Sequence, residues 1–139
     1  MSRLLQFVLC FIVVASAYSA AAQNYIGLHK EEIRTRVKKE LPGFYFAKEV
    51  ESGDRSFIKF ENSFEEQTLI FRLNEMGVCT SVSRMYNTWL EDKVRAQLDA
   101  TYGKGAGNRW YFTLSHKEYE VILKQSDWYI TVIIKSVTN

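Results

Sequence analysis

The sequence predicts an α+β domain: two helix-plus-β-meander units sharing one antiparallel sheet, with both helices on one face. Three observations predict it. Two segments carry apolar residues at every fourth position, the stripe of a surface helix: Ile33, Val37 and Leu41, then Leu90, Val94, Leu98 and Tyr102. After each of them come segments in which apolar and polar residues alternate, as in strands buried on one side. The spacers between those segments are short and rich in turn residues. That favours hairpins over the long crossovers a parallel sheet needs.

The chain opens MSRLLQFVLCFIVVASAYSAAAQN. Arg3 supplies a short positive region, Leu4 to Ala15 is apolar apart from Gln6, and Ala20-Ala21-Ala22 offers a small-residue cleavage site. This is the three-part layout of a secretory signal peptide. Its apolar run falls short of the ~20 residues that span a bilayer. The expectation is a signal peptide over 1–22 and a single domain over 23–139, that is 117 of the 139 residues. No second apolar run follows that could cross a membrane, so the product is expected in the periplasm or secreted.

Cys10 lies inside the apolar run and leaves with it. Cys79 is then the one cysteine of the mature chain, a free thiol, and an intramolecular disulfide is excluded. Stability must come from the core, which a domain of this size can supply. Losing Arg3 leaves 17 of the 18 Lys and Arg residues against 16 Asp and Glu. A charge so near balance, with signs alternating along the chain, gives no electrostatic case for nucleic acid or an anionic membrane as partner.

YIGLHKEEIRTRVKKELPG is predicted as the first helix. With His29 as N-cap, Leu28 and Ile33 form a hydrophobic staple, Glu32 takes the third helical position, and Pro42-Gly43 stops the helix. Its basic residues are interrupted by Glu31, Glu32 and Glu40, as on a solvated face. FYFAKEV then leads into the turn ESGD. SFIKFEN sets Ile58 and Phe60 against Phe57, Lys59 and Glu61, and EQTLIFRLN sets Leu69, Phe71 and Leu73 against Thr68, Ile70 and Arg72. After the turn NEMG, VCTSVSR points Val78 and Val82 inward. Alternation then puts Cys79 with Ser81 on the outer face, unless a bulge near Gly77 flips the assignment.

The second helix is expected to open with a capping box, Thr88 and Glu91, and to stop at Gly103. GKGAGN reads as a flexible loop. It follows a helix rather than a strand and lacks the Lys-Ser/Thr ending of a phosphate-binding loop. Three strands close the chain. RWYFTLS points Trp110, Phe112 and Leu114 inward, KEYEVILKQ points Tyr119, Val121 and Leu123 inward, and DWYITVIIK points Trp128, Ile130, Val132 and Ile134 inward. SHK and QSD serve as hairpin spacers.

The order helix then meander occurs twice. EEIRTRVKKELPG is echoed by DKVRAQLDATYG, and the strand pattern of the first half by WYFTLSHKEYEVILKQSDWYITVII. Two pattern repeats are therefore expected, over about 26–86 and 87–139. The arrangement resembles the helix-meander units of PepSY-like and β-lactamase-inhibitor-like domains of bacterial envelopes. LHKEEIRTRVKKELPGF, EEQTLIFRLNEMGVCT and KEYEVILKQSDWYITV also resemble a group of small secreted Bacteroidetes proteins of uncharacterised function. The resemblance covers nearly the whole mature chain in spacing and aromatic placement. It implies an envelope location and carries no catalytic signature. The β-lactamase-inhibitor-like domains use a curved sheet face for protein binding, but no individual binding residue transfers to this chain.

Residues able to do chemistry are few. His29 and His116 are the mature chain's histidines, and no HExxH or CxxC spacing is present, so the ligand set is too poor for zinc. Cys79 lies mid-strand without a helix N-terminus to activate it, although a histidine could meet it in space. No G-x-S-x-G elbow exists. The acidic pairs Glu31/Glu32, Glu65/Glu66 and Glu91/Asp92 are sequence neighbours and so do not face one site. The expectation is a non-enzymatic binding or accessory protein with no cofactor and no metal.

The predicted outer sheet face gathers aromatic, aliphatic and cationic side chains, a mixture that suits a protein partner. Phe57, Ile70, Arg72, Tyr111, Lys124 and Tyr129 are the expected partner-binding residues. An envelope protein is the expected partner, and a homodimer through the same face is the alternative occupant. The second functional expectation is a small apolar ligand held between sheet and helices by Trp110, Trp128 and Phe71.

Overall fold

Alternation in the sequence becomes burial in the structure. The computed structural model describes residues 25–137, and the expected signal peptide lies outside the described residues. The elements are α1 (Lys30–Glu40), β1 (Tyr45–Val50), β2 (Phe57–Asn62), β3 (Gln67–Leu73), β4 (Cys79–Asn87), α2 (Glu91–Thr101), β5 (Gly103–Lys104), β6 (Arg109–Leu114), β7 (Lys117–Gln125) and β8 (Tyr129–Ser136). Short 3-10 turns cover Gly53–Arg55 and Thr88–Leu90. The fold is α+β: one eight-stranded antiparallel sheet in the order β1-β2-β3-β4-β8-β7-β6-β5, with two α-helices.

One row of the sheet explains its register. Ile58 pairs with Phe71, Phe71 with Val82, Val82 with Ile134, Ile134 with Val121, and Val121 with Trp110, and all six are buried. Each such side chain contributes about 1.5–3 kcal/mol when removed from water. A slip of one residue would turn the row outward and forfeit all of it. Ile33 and Val37 of α1 pack in a cluster with Ile58, Phe71 and Val82. Val94 and Leu98 of α2 pack in a second cluster with Trp110, Val121 and Ile134. The clusters meet at the Val82–Ile134 pair, where β4 joins β8.

The first helix begins as expected: the His29 ring nitrogen Nδ1 accepts the Glu31 N–H at 3.3 Å. Leu28 packs on the same cluster as Ile33. The second helix begins differently. Thr88–Leu90 forms a 3-10 turn, Leu90 occupies the cap position without a side-chain cap bond, and the expected Thr88–Glu91 box is not formed. Glu91 is engaged elsewhere, accepting from Arg95 Nε at 2.9 Å and from Gln125 Nε2 at 2.9 Å. Gly103 is not a left-handed stop either. Tyr102 is already extended, and Gly103 and Lys104 pair with Tyr111 and Trp110, so part of the expected GKGAGN loop is strand.

Two more expectations are corrected. Trp128 is 82% exposed rather than inward, because it precedes β8 in a turn that Ser126 N–H closes by donating to Tyr129 O at 2.9 Å. Cys79 is inside rather than outside. Leu73 pairs with Cys79 and Arg72 with Ser81, so Thr80 is the extra residue of a bulge and the thiol shares the core with Val82.

Candidate binding surface

The outer face follows from the same register. One row runs Phe57–Arg72–Ser81–Lys135–Glu120–Tyr111 across β2, β3, β4, β8, β7 and β6. The next runs Lys59–Ile70–Ser83–Ile133–Ile122–Arg109, and a third Glu61–Thr68–Met85–Thr131–Lys124. Tyr129 pairs with Asn87 one step further along. The six expected binding residues therefore share this face. Phe57, Ile70 and Tyr111 are half-buried, whereas Arg72, Lys124 and Tyr129 are exposed.

They do not form one tight cluster. Phe57 and Tyr111 stand five strand spacings apart, about 24 Å at ~4.8 Å per strand. Between them lies an apolar middle, with Ile70, Met85, Ile122 and Ile133 all partly exposed. Ser83, Met85 and Glu120 belong to this face and were not singled out from sequence. Glu120 matters electrostatically, since its carboxylate accepts from Arg109 Nη1 at 2.8 Å and pairs with Lys135 Nζ at 3.3 Å. Lys59 pairs with Glu61 at 2.9 Å. Arg72 and Lys124 make no ion pair among the described residues, so they are the cations this face offers.

Tyr111 is seated on glycine. A Cβ added to Gly105 would stand 2.5 Å from Tyr111 Cε2, which no real contact tolerates. The ring therefore lies over the Gly105 backbone, in space that any side chain at that position would occupy.

The thiol is chemically quiet. Cys79 Sγ donates to Ser81 O at 3.5 Å, and burial pushes its pKa up to about 12. At neutral pH it is a protonated thiol, whereas nucleophilic cysteines need the thiolate. Neither histidine activates it: the His29 ring caps α1, and His116 lies in the β6–β7 turn. Among the described residues, no group of three or more His, Cys, Asp and Glu could hold a metal ion, and no helix is long and apolar enough to cross a membrane.

The residues expected to line an apolar pocket do not meet. Phe71 fills the first cluster, Trp110 the second with its indole N–H donating to Asp99 Oδ1 at 2.8 Å, and Trp128 is on the surface. A cleft of about 370 Å³ lies elsewhere, lined by Lys30, Glu49, Glu51, Glu75, Ser56 and Leu73 among others. It is polar, and its Glu49 is paired, accepting from Lys30 at 2.6 Å and from Arg34 at 2.7 Å. The Lys30 bond, with Arg34 beside it, holds the Glu49 carboxyl below its usual range.

Two largely exposed aromatics escaped the sequence reading, Phe64 at 96% and Trp89 at 79%, and a third, Trp128 at 82%, was expected inward. The available signal was a large aromatic inside a turn segment, SFEE, SDW or TWL, where no core exists to receive it. Compared with known proteins, the chain matches no protein-family model, no curated protein and no solved structure.

Proposed function

We propose that the chain is an exported, non-enzymatic binding protein of the cell envelope that engages a protein partner through the outer face of its sheet. One observation carries the reading. The face opposite the buried row still displays a partly exposed apolar middle, Ile70, Met85, Ile122 and Ile133, flanked by Tyr111, Tyr129, Arg72 and Lys124. Apolar patches rimmed by polar groups mark partner sites, and Tyr and Arg are favoured anchors. The buried, protonated thiol supports a non-enzymatic role. The signal-peptide layout of the first 22 residues supports export.

The two-unit architecture is part of this proposal. Each half of the chain supplies a helix and four strands, and the sheet runs β1 to β4, then β8 back to β5. The buried row shared by both clusters supports both helices covering one face and leaving the other for binding. The resemblance to PepSY-like and β-lactamase-inhibitor-like domains agrees with such use of a sheet face.

The test is crosslinking in the native envelope followed by capture of the tagged chain. Two variants are compared with the parent, Tyr111→Ser with Tyr129→Ser, and Arg72→Glu with Lys124→Glu. The expected result is one discrete partner, lost in both, with the charge-reversed variant melting like the parent. Undiminished capture by both variants would overturn the proposal.

A further inference from the structure

The end of the sheet where β2 turns into β3, β4 leaves for α2, and β7 turns into β8 carries a feature separate from the outer face. Asn87 of β4 pairs with Tyr129 of β8, and Asn87 Nδ2 donates to Glu66 Oε2 in the β2–β3 turn at 2.6 Å. The three turns are therefore neighbours. Each turn carries one aromatic: Phe64 in the β2–β3 turn, Trp89 in the 3-10 turn after β4, and Trp128 directly before β8.

All three are largely in water, Phe64 96%, Trp128 82% and Trp89 79% exposed. Single apolar residues on a surface need no explanation, but three on adjacent turns form a patch. Aromatic side chains bury ~150–250 Å² each, so covering these three would remove ~450–750 Å² from water. That approaches the ~800 Å² per partner of a standard interface.

Charge selects the occupant. The turn segments 63–66, 88–90 and 126–128 read SFEE, TWL and SDW: three carboxylates, Glu65, Glu66 and Asp127, and no Lys or Arg. This local sign opposes the chain's net charge of +2. Lys93 and Lys124 belong to α2 and β7 outside the turns, and Arg84, whose guanidinium bonds Gln67 at 2.7 Å beside the β2–β3 turn, is engaged there and over the Phe44 and Tyr86 rings. Glu66 is engaged by Asn87, which leaves Glu65 and Asp127 to face a ligand. Aromatic faces attract cations, Trp most strongly, and adjacent carboxylates add to that attraction. Anionic lipid headgroups are repelled by the same carboxylates. The geometry points to a docking site for a cationic, Lys- or Arg-bearing segment of a partner protein, held by Phe64, Trp89 and Trp128 between Glu65 and Asp127.

The experiment uses the full chain and dye-labelled oligo-arginine, with oligo-glutamate as control, read by fluorescence anisotropy at two salt concentrations. Saturable binding of oligo-arginine alone, weakened by salt, is expected. Trp89→Ala with Trp128→Ala should weaken it about tenfold, the scale of two lost cation–π contacts. Glu65→Gln with Asp127→Asn should weaken it in the same direction, while Tyr111→Ser on the outer face leaves it unchanged. These exposed positions let the variants keep the parent's circular dichroism spectrum. Binding unaltered by the tryptophan pair would overturn the site. So would equal binding of oligo-glutamate, or capture by phosphatidylcholine vesicles without peptide binding, which would assign the patch to a lipid surface.

Discussion

Cys79 of β4 stands opposite Leu73, while Ser81 stands opposite Arg72, so a single extra residue, Thr80, decides which way the thiol points. The consequence is measurable. A thiol-reactive probe in excess should leave the native chain unlabelled and label it stoichiometrically in denaturant, because Cys79 is 2% exposed and its thiol is protonated. Rapid labelling under native conditions would mean that Thr80 is not the bulged residue and that the thiol faces outward.

The same burial predicts a pH dependence. The thiol pKa rises from 9.0 to about 12 on folding, chiefly by desolvation. The folded chain keeps the proton that the unfolded chain releases. Its contribution is therefore full below the unfolded value and falls by about 1.4 kcal/mol per pH unit as pH climbs towards the folded one. Tyr25 and Tyr86, also raised from 10.0 chiefly by burial, add a later decline of the same sign. Urea unfolding between about pH 8 and 11 should show Cys79→Ala losing stability about one pH unit later than the parent. Identical onsets would exclude the thiol as the first group to titrate.

The inner face was legible because the period of a strand is two and burial is one-sided. Ile58, Phe60, Leu69, Phe71, Tyr119, Val121, Ile130 and Ile134 are buried where alternation puts them. The β4–β8 junction was not legible, since joining two strands far apart in sequence is decided by tertiary packing. Cys79 and Trp128 were misplaced for a local reason: one sits beside a bulge and the other one residue outside the ladder. The outer-face residues were found as a set, but their spread of about 24 Å follows only from strand order. The aromatic end was hidden for the same reason, because Phe64, Trp89 and Trp128 come from three distant turns.

Trp110, fully buried, gives its indole N–H to Asp99 at 2.8 Å, fastening β6 to α2. Asp99→Ala leaves that donor unsatisfied and should cost about 1–3 kcal/mol. Asp99→Asn keeps an acceptor and should cost less. In a Trp110→Phe background the donor is gone, so Asp99→Ala should cost little. Equal costs in the two backgrounds, measured by denaturant unfolding, would show that the bond contributes nothing specific.

The β6–β7 hairpin contains a locally unfavourable choice. Ser115 and His116 form a two-residue loop with φ of 50° and 64°, the left-handed pair that a type I′ turn demands. Neither residue is a natural occupant, whereas Asn-Gly is. Replacing them by Ser115→Asn with His116→Gly should raise stability by about 0.5–2 kcal/mol in thermal unfolding. A lower melting temperature would show that the His116 side chain stabilises the turn by more than its backbone strain costs.

Gly105 and Tyr111 provide a way to disturb the proposed binding face without changing any residue on it. Gly105→Ala brings a methyl group to 2.5 Å from Tyr111 Cε2 and 3.1 Å from Cδ2, and to 3.2 Å from the Arg109 carbonyl oxygen. The ring can swing away, but the carbonyl, which accepts the Gly105 N–H at 2.9 Å, can move little. A cost of about 1–3 kcal/mol is expected, the range for overpacking. With Tyr111→Ser in place the ring clash is absent and only the carbonyl contact remains, so Gly105→Ala should then cost less. The displaced ring should also weaken partner capture through the outer face while leaving oligo-arginine binding at the aromatic end unchanged. Equal stability costs with and without the Tyr111 ring would mean that the ring does not rest on Gly105. Tyr111 would then be a mobile contact rather than a pre-set anchor.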